Sequence, residues 1–375
     1  GGLDVNSLRG AFQALVDRHA SLRTTFADDN GEPVQRGAQQ ATIHFEEQDA
    51  SQWDQSVLDE RLGVEAQRPF DLEHGPLLKV HLFKRADGEN VLLLTAHHII
   101  VDLWSLTVLL HELSVLYNAQ RSGTPADLPP LTRQYVDYVQ WQNDLLHSDQ
   151  GLRHRRYWQE QLAGPLPGLA LPTDRPRPAV QTYHGAAHTF RLNPELTRRL
   201  KALSKEQNAT LYMTLLAAFQ VLLYRYSGQQ EILVGSPTSG RNRGWLAGLV
   251  GYLVNPVALR ANLAPEQSFK AFLGDVRRTV LSAFEHQDYP FALQVQDVQP
   301  ERDASRSPVF QVMFALQKSH LRNDQSVAAF AVGDPGAQIP LGDVVLESLA
   351  LPQRSARFDL TLLMAETDEH LGASL

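Results

Sequence analysis

Two histidines stand side by side at His97 and His98, and a carboxylate, Asp102, follows four residues after the second. Imidazole ionises nearest to neutrality of the common side chains, so this grouping offers three chemistries. The first is purely architectural: a hydrogen-bonded polar cluster beside a helix start, with Asp102 or Ser105 as the N-cap. The second is metal ligation by imidazole and carboxylate. Against it, adjacent strand residues point to opposite faces, so the two rings diverge, and the sequence offers no obvious third ligand. The third is a general base or amine-positioning group in acyl transfer, served by one histidine while the scaffold holds the other. The residues alone leave all three open.

The elements that must position them are legible on either side. Val91-Leu92-Leu93-Leu94 is an unbroken apolar run of the kind expected in a strand buried on both faces. After the motif, Leu106, Leu109, Leu110, Leu113 and Tyr117 recur at spacings of three and four, which predicts a helix ending near Gly123. Helices are also expected from Asp4 or Asn6, over 56–66, around Tyr135–Leu145 and Tyr157–Leu162, after Asn193-Pro194, over 210–226 and over 269–284. Strands are expected at 42–46, 77–83, 187–192, 231–236, within 249–260, at 309–316 and at 357–365. Residues 164–178 hold five prolines and almost no periodicity, which predicts an extended linker. The expected division is therefore residues 1–163, a linker at 164–180, and residues 181–375. The stretch 324–340 reads as a surface loop.

Composition narrows the classes. At 375 residues, two domains or lobes are the natural prior. The net charge is −8 with basic residues scattered, which argues against nucleic acid or an anionic membrane as partner. No cysteine is present, which excludes disulfides, thiolate zinc sites and a cysteine nucleophile, and a cytoplasmic location is expected. No apolar run reaches the roughly 18 residues that span a bilayer. The chain opens Gly1-Gly2-Leu3-Asp4 without an initiator methionine, so a piece of a longer protein is expected.

Six segments, in order, carry a resemblance. Arg18-His19-x-x-Leu22-Arg23-Thr24-x-Phe26 resembles RHExLRTxF, with Ala20 in place of Glu. His97-His98-x-x-x-Asp102 resembles HHxxxDG, with Leu103 in place of Gly. Tyr135-x-Asp137-Tyr138-x-x-Trp141 resembles YxDFAxW, and Val250-Gly251-Tyr252-Leu253-Val254-Asn255 resembles VGxFVNT, with Pro256 in place of Thr. His286-Gln287-Asp288-Tyr289-Pro290-Phe291 resembles HQDYPFE, with Ala292 in place of Glu, and Arg302-Asp303-x-Ser305-Arg306-Ser307-Pro308 resembles RDxSRNPL. Together these resemble the condensation domains of nonribosomal peptide synthetases, within the chloramphenicol-acetyltransferase-like superfamily.

The resemblance implies an α/β (α+β) fold of two chloramphenicol-acetyltransferase-like lobes in a V-shaped pseudo-dimer, with the active site in a tunnel between them. It implies a chain truncated at both ends. It implies amide formation between a donor acyl or peptidyl thioester and the α-amine of an acceptor aminoacyl thioester. The substrates ride on 4'-phosphopantetheine arms of upstream and downstream peptidyl carrier proteins, with an adjacent adenylation domain, no intrinsic cofactor and no metal. A monomeric domain within a multidomain synthetase follows. His98 is then the catalytic residue, with His97 and Asp102 supporting it and Arg23, preferred over Arg260 and Arg241, pairing with Asp102. Leu103, Trp104 and Ser105 are candidates for the oxyanion or tunnel region, as is Asn255. Tyr135, Tyr138 and Trp141 are read as core packing. The alternatives are a related acyltransferase or epimerisation domain, or a non-catalytic docking domain.

Overall fold

The computed structural model describes residues 2–86, 88–300, 303–317, 336–351, 354–366 and 370–375. By its internal contacts the chain forms two compact units. The first comprises Gly1–Trp141, Arg241–Leu253 and Gly336–Leu351; the second comprises the rest.

In the first unit, α1 (Val5–Arg18) starts at Asp4, whose carboxylate accepts from Ser7 N–H, and it buries Leu8, Ala11, Phe12, Leu15 and Val16. A hairpin of β1 (Thr24–Asp29) and β2 (Glu32–Gly37) follows. Then come β3 (His44–Asp49), α2 (Gln55–Ala66), β4 (Leu78–Lys84) and β5 (Asn90–Ala96). They form a three-stranded sheet in which β4 runs parallel to β3 and antiparallel to β5. The helix α3 (Leu103–Ser122) leaves Asp102 as its N-cap and stops at Gly123, whose φ of 68° suits a residue without a Cβ. α4 (Tyr135–Leu146) begins in the first unit and ends in the second.

The second unit continues with α5 (Asp149–Gln161), β6 (Thr189–Leu192), α6 (Pro194–Glu206) and α7 (Leu211–Ser227). Asn193 caps α6 ahead of Pro194, as the sequence predicts. β7 (Glu231–Thr238) precedes a segment of the first unit in sequence, and the chain continues through β8 (Asn255–Asn262), α8 (Phe269–Glu285), α9 (Phe291–Val298) and β9 (Val312–Gln317). A hairpin of β10 (Gln338–Leu341) and β11 (Val344–Glu347) belongs to the first unit, and β12 (Leu360–Glu366) and β13 (Leu371–Ser374) close the second. Its six-stranded sheet has the order β6-β13-β12-β9-β7-β8. Among the described residues no helix is long and apolar enough to cross a membrane.

Three expectations need correction. β5 is not buried on both faces: it is the edge of its sheet and only Leu93 is fully buried, while the enclosed strand is β4. The expected cut at 164–180 does not match the compact units. That stretch packs within the second unit, where Leu169 is buried, its N–H donates to Gln311, and Arg177 pairs with Asp359. Prolines there extend the backbone without freeing it from the core. Of the stretch read as a loop, residues 324–335 lie outside the described residues, and 338–341 form β10.

One histidine pair is expected to respond to acid. In the second unit His154 Nδ1 lies 2.8 Å from His286 Nδ1, and the His286 ring stacks on Tyr157 at 4.0 Å. Burial depresses the pKa of both imidazoles, and Arg153 pushes the same way against Glu285 and, at His154, Asp288. A folded-state pKa below the unfolded value makes the unfolded chain the stronger proton binder. The pair's contribution is thus present above about pH 6.5 and lost as pH falls through the depressed values. Thermal melting should therefore show a lower midpoint at pH 5 than at pH 7.5. The H154Q/H286Q variant should have a flatter acid limb; an unchanged slope would clear the pair of this role.

Candidate active site

The two histidines sit just past the end of β5, in a turn closed by Ile100 N–H on the His97 carbonyl at 3.1 Å. Strand alternation therefore does not orient them; the turn does. His97 remains the inward partner: its Nδ1 accepts from Ile99 N–H at 3.1 Å, and its ring meets Phe70 edge-on at 5.8 Å. His98 is exposed, and its Nδ1 lies 2.6 Å from the Val101 carbonyl. A carbonyl can only accept, so Nδ1 carries the proton and Nε2 of the neutral ring presents a lone pair. Nε2 has no hydrogen-bond partner among the described residues. The Tyr252 ring packs edge-on against His98 at 5.0 Å.

Asp102 does not touch the histidines' ring nitrogens in any of its four bonds. Its Oδ1 accepts from Ser105 N–H at 2.8 Å and Ser105 Oγ at 2.7 Å. Its Oδ2 accepts from Arg241 Nη1 at 2.6 Å and Leu253 N–H at 3.1 Å. Both side chains of the ion pair are 0% exposed. Arg241 also donates to Ser105 Oγ at 3.0 Å and to the Leu249 carbonyl at 3.1 Å. Ser105 Oγ in turn meets Gly251 N–H at 3.0 Å and the Gly251 carbonyl at 2.9 Å. One buried carboxylate thus stitches the start of α3 to residues 241–253. A Cβ on Gly251 would lie 2.1 Å from the Tyr135 ring, so only glycine allows this approach.

Arg23 is therefore not the partner of Asp102. Its guanidinium donates to the Val16, Asp17 and Ala38 carbonyls, holding the end of α1, where a cation suits the exposed carbonyls. The arginine that takes the role, Arg241, stands in an irregular segment after β7, and no local pattern marks it. Neighbours of Arg23 are also structural: buried His19 contacts Glu112 at 2.7 Å, and Arg18 reaches the same carboxylate at 3.1 Å. Burial alone would raise the pKa of Glu112, but the hydrogen bond and charge of His19, with Arg18, hold it below the usual carboxylate range.

The remaining candidates divide. Leu103 is the first residue of α3 and adopts no left-handed angle, so this backbone makes no demand for glycine there. Its N–H has no acceptor among the described residues, whereas that of Ser105 is consumed by Asp102. Trp104 anchors its indole N–H on the Ala247 carbonyl at 2.8 Å. Asn255 is spent on structure: its amide donates to the Gln287 and Tyr289 carbonyls and accepts from Phe291 N–H, clamping the turn before α9. Tyr135, Tyr138 and Trp141 do pack, against Leu246, Leu249, Leu253 and Trp245. Tyr135 also donates to the Tyr252 carbonyl at 2.8 Å. Arg302 lies outside the described residues, while Arg306 and Asp303 approach to 3.5 Å.

The family model described as "Condensation domain" matches residues 1–375. A linear gramicidin synthase polypeptide from Brevibacillus parabrevis is 44% identical over 364 residues, which is 94% of this chain and 5% of that protein. Surfactin synthase subunit 1 from Bacillus subtilis (strain 168) is 38% identical over 368 residues, covering 98% of this chain and 10% of that protein. The chain thus spans a small fraction of the curated relatives it matches. Among solved structures, a four-domain nonribosomal peptide synthetase bound to AMP and glycine superposes with a TM-score of 0.87 at 24% identity, covering 99% of this chain and 28% of that one. The X-domain from teicoplanin biosynthesis gives 0.86 at 25% identity, covering 100% and 82%.

Proposed function

Because the chain belongs to the condensation-domain family, we propose that it joins a donor acyl or peptidyl thioester to the α-amine of an acceptor aminoacyl thioester. The substrates arrive on the phosphopantetheine arms of an upstream and a downstream carrier protein, beside an adenylation domain of the same synthetase. The observation that carries the reading is the exposed His98 ring, fixed through Nδ1 to Val101 with its Nε2 lone pair outward.

The amine nitrogen attacks the thioester carbonyl. The new C–N bond forms as the C–S bond breaks, the amine's proton passes to His98 Nε2, and the donor carrier leaves with a free thiol once that proton reaches sulfur. The activated thioester makes a covalent enzyme intermediate unnecessary, in keeping with the absence of cysteine. Alignment of amine and carbonyl supplies the larger share, since effective molarities are worth roughly 7–11 kcal/mol. The unaccepted N–H of Leu103, at the positive end of α3, is the candidate donor to the developing oxyanion. His97 holds the turn and Asp102 the start of α3, rather than the substrate.

The test is to incubate the chain with two loaded carriers and follow the acceptor carrier by intact mass spectrometry. Transfer of the donor group onto the acceptor, with amide connectivity, is expected. Turnover only with coenzyme A thioesters and free alcohols or amines would place the chain among other acyltransferases. An epimerised but uncondensed substrate would do the same for epimerisation.

A further inference from the structure

Away from the His98 turn, β3 and β4 bring three potential metal ligands together. His44 and Glu46 are two residues apart on one strand and so share a face. The parallel register places His81 directly beside Glu46. Glu46 Oε2 lies 3.8 Å from His44 Nε2 and 3.6 Å from His81 Nδ1, while Oε1 is occupied by Gln48 Nε2 at 3.1 Å. All three ligand atoms lie within 4.8 Å of one another.

Those separations are too long for hydrogen bonds. They approach the edge of a tetrahedron around an ion bonded at about 2.1 Å, which is about 3.4 Å. His81 strengthens the case independently. It is 1% exposed, yet neither ring nitrogen has a hydrogen-bond partner among the described residues. Buried polar groups are nearly always satisfied, so an orphaned imidazole turned toward a carboxylate and a second imidazole calls for a partner. His44 and Glu46 are 40% and 43% exposed, which leaves an ion a route from solvent and room for a water as fourth ligand.

The geometry points to a binding site for a borderline divalent metal ion, zinc above all, formed by His44 Nε2, a Glu46 carboxylate oxygen and His81 Nδ1. Two nitrogens and one oxygen suit zinc, whereas calcium and magnesium demand oxygen shells. Bound there, the ion ties β3 to β4 at the pair Glu46–His81 and stabilises the first unit by mass action. The inference is independent of the reading of His98.

The experiment uses the 375-residue chain after chelator treatment, titrated with Zn²⁺ and, as a spectroscopic probe, Co²⁺. One saturable equivalent, visible bands of four-coordinate Co²⁺, and a melting temperature that rises with Zn²⁺ but not Mg²⁺ are expected. The surface variant H44A/E46Q should keep the metal-free melting temperature while binding Zn²⁺ at least about tenfold more weakly and losing the Co²⁺ bands. H81F should lose the same bands. Equal affinity and stoichiometry in wild type and H44A/E46Q, or no saturable equivalent in the wild type, would overturn the site.

Discussion

Arg241→Ala is expected to destabilise the first unit by about 3–5 kcal/mol, the usual consequence of stranding one member of a fully buried ion pair. Without the guanidinium, the Asp102 carboxylate keeps its bonds from Ser105 and Leu253 but loses its only buried counter-charge among the described residues. The Leu249 carbonyl and Ser105 Oγ each lose a donor as well. Asp102→Asn should cost a similar amount. It preserves the shape of the helix cap but leaves Arg241 charged in a site closed to water. Replacing both residues with apolar side chains of comparable volume should cost clearly less than the sum of the single losses, because neither charge is then left alone. Urea unfolding at neutral pH reads all four proteins. A wild-type midpoint for Arg241→Ala would show that the pair holds nothing. Arg23→Ala is the control: its contacts are backbone carbonyls near the surface, so about 1–2 kcal/mol is the expected scale.

That contrast also marks how far the sequence can be read. Helix α3 is legible from its apolar spacing, from Asp102 before it and from Gly123 after it, because caps and periodicity are local properties. The same holds for the starts of α1 and α6 and for both ends of α7, which lie within a residue or two of those expected. What escapes is short or non-local. α9 is eight residues long and starts after a proline; β13 is four residues that pair with neighbouring β12 and, across much of the chain, with β6. The partner of Asp102 escapes for the same reason, since Arg241 lies 139 residues downstream and several arginines compete on paper. So does the cluster of His44, Glu46 and His81, which only the β3–β4 register assembles. The unequal placement of His97 and His98 is anticipated, but through strand alternation, whereas a turn produces it.

His98→Ala should lower amide formation between carrier-bound substrates by about 10²–10⁴-fold, the range for a positioned acid–base group. Folding stability should stay within about 0.5 kcal/mol of wild type, because the ring is exposed and its one hydrogen bond is local. This pairing of a large kinetic loss with a small stability change is the reverse of what Arg241→Ala should give, so together the variants separate chemistry from scaffold. His98→Gln resolves the role further. A glutamine amide can accept a hydrogen bond from the amine but cannot take its proton at neutral pH. If proton acceptance carries the effect, Gln is as inactive as Ala; if orientation carries it, Gln recovers a measurable part of the rate. Single-turnover transfer between preloaded carriers, followed by mass spectrometry, keeps carrier loading and release out of the measured rate. Full activity of His98→Ala in that assay would remove His98 from the mechanism and move attention to the helix start at Leu103. His97→Ala should behave differently again, losing the Ile99 bond and the Phe70 contact and so reducing stability together with rate.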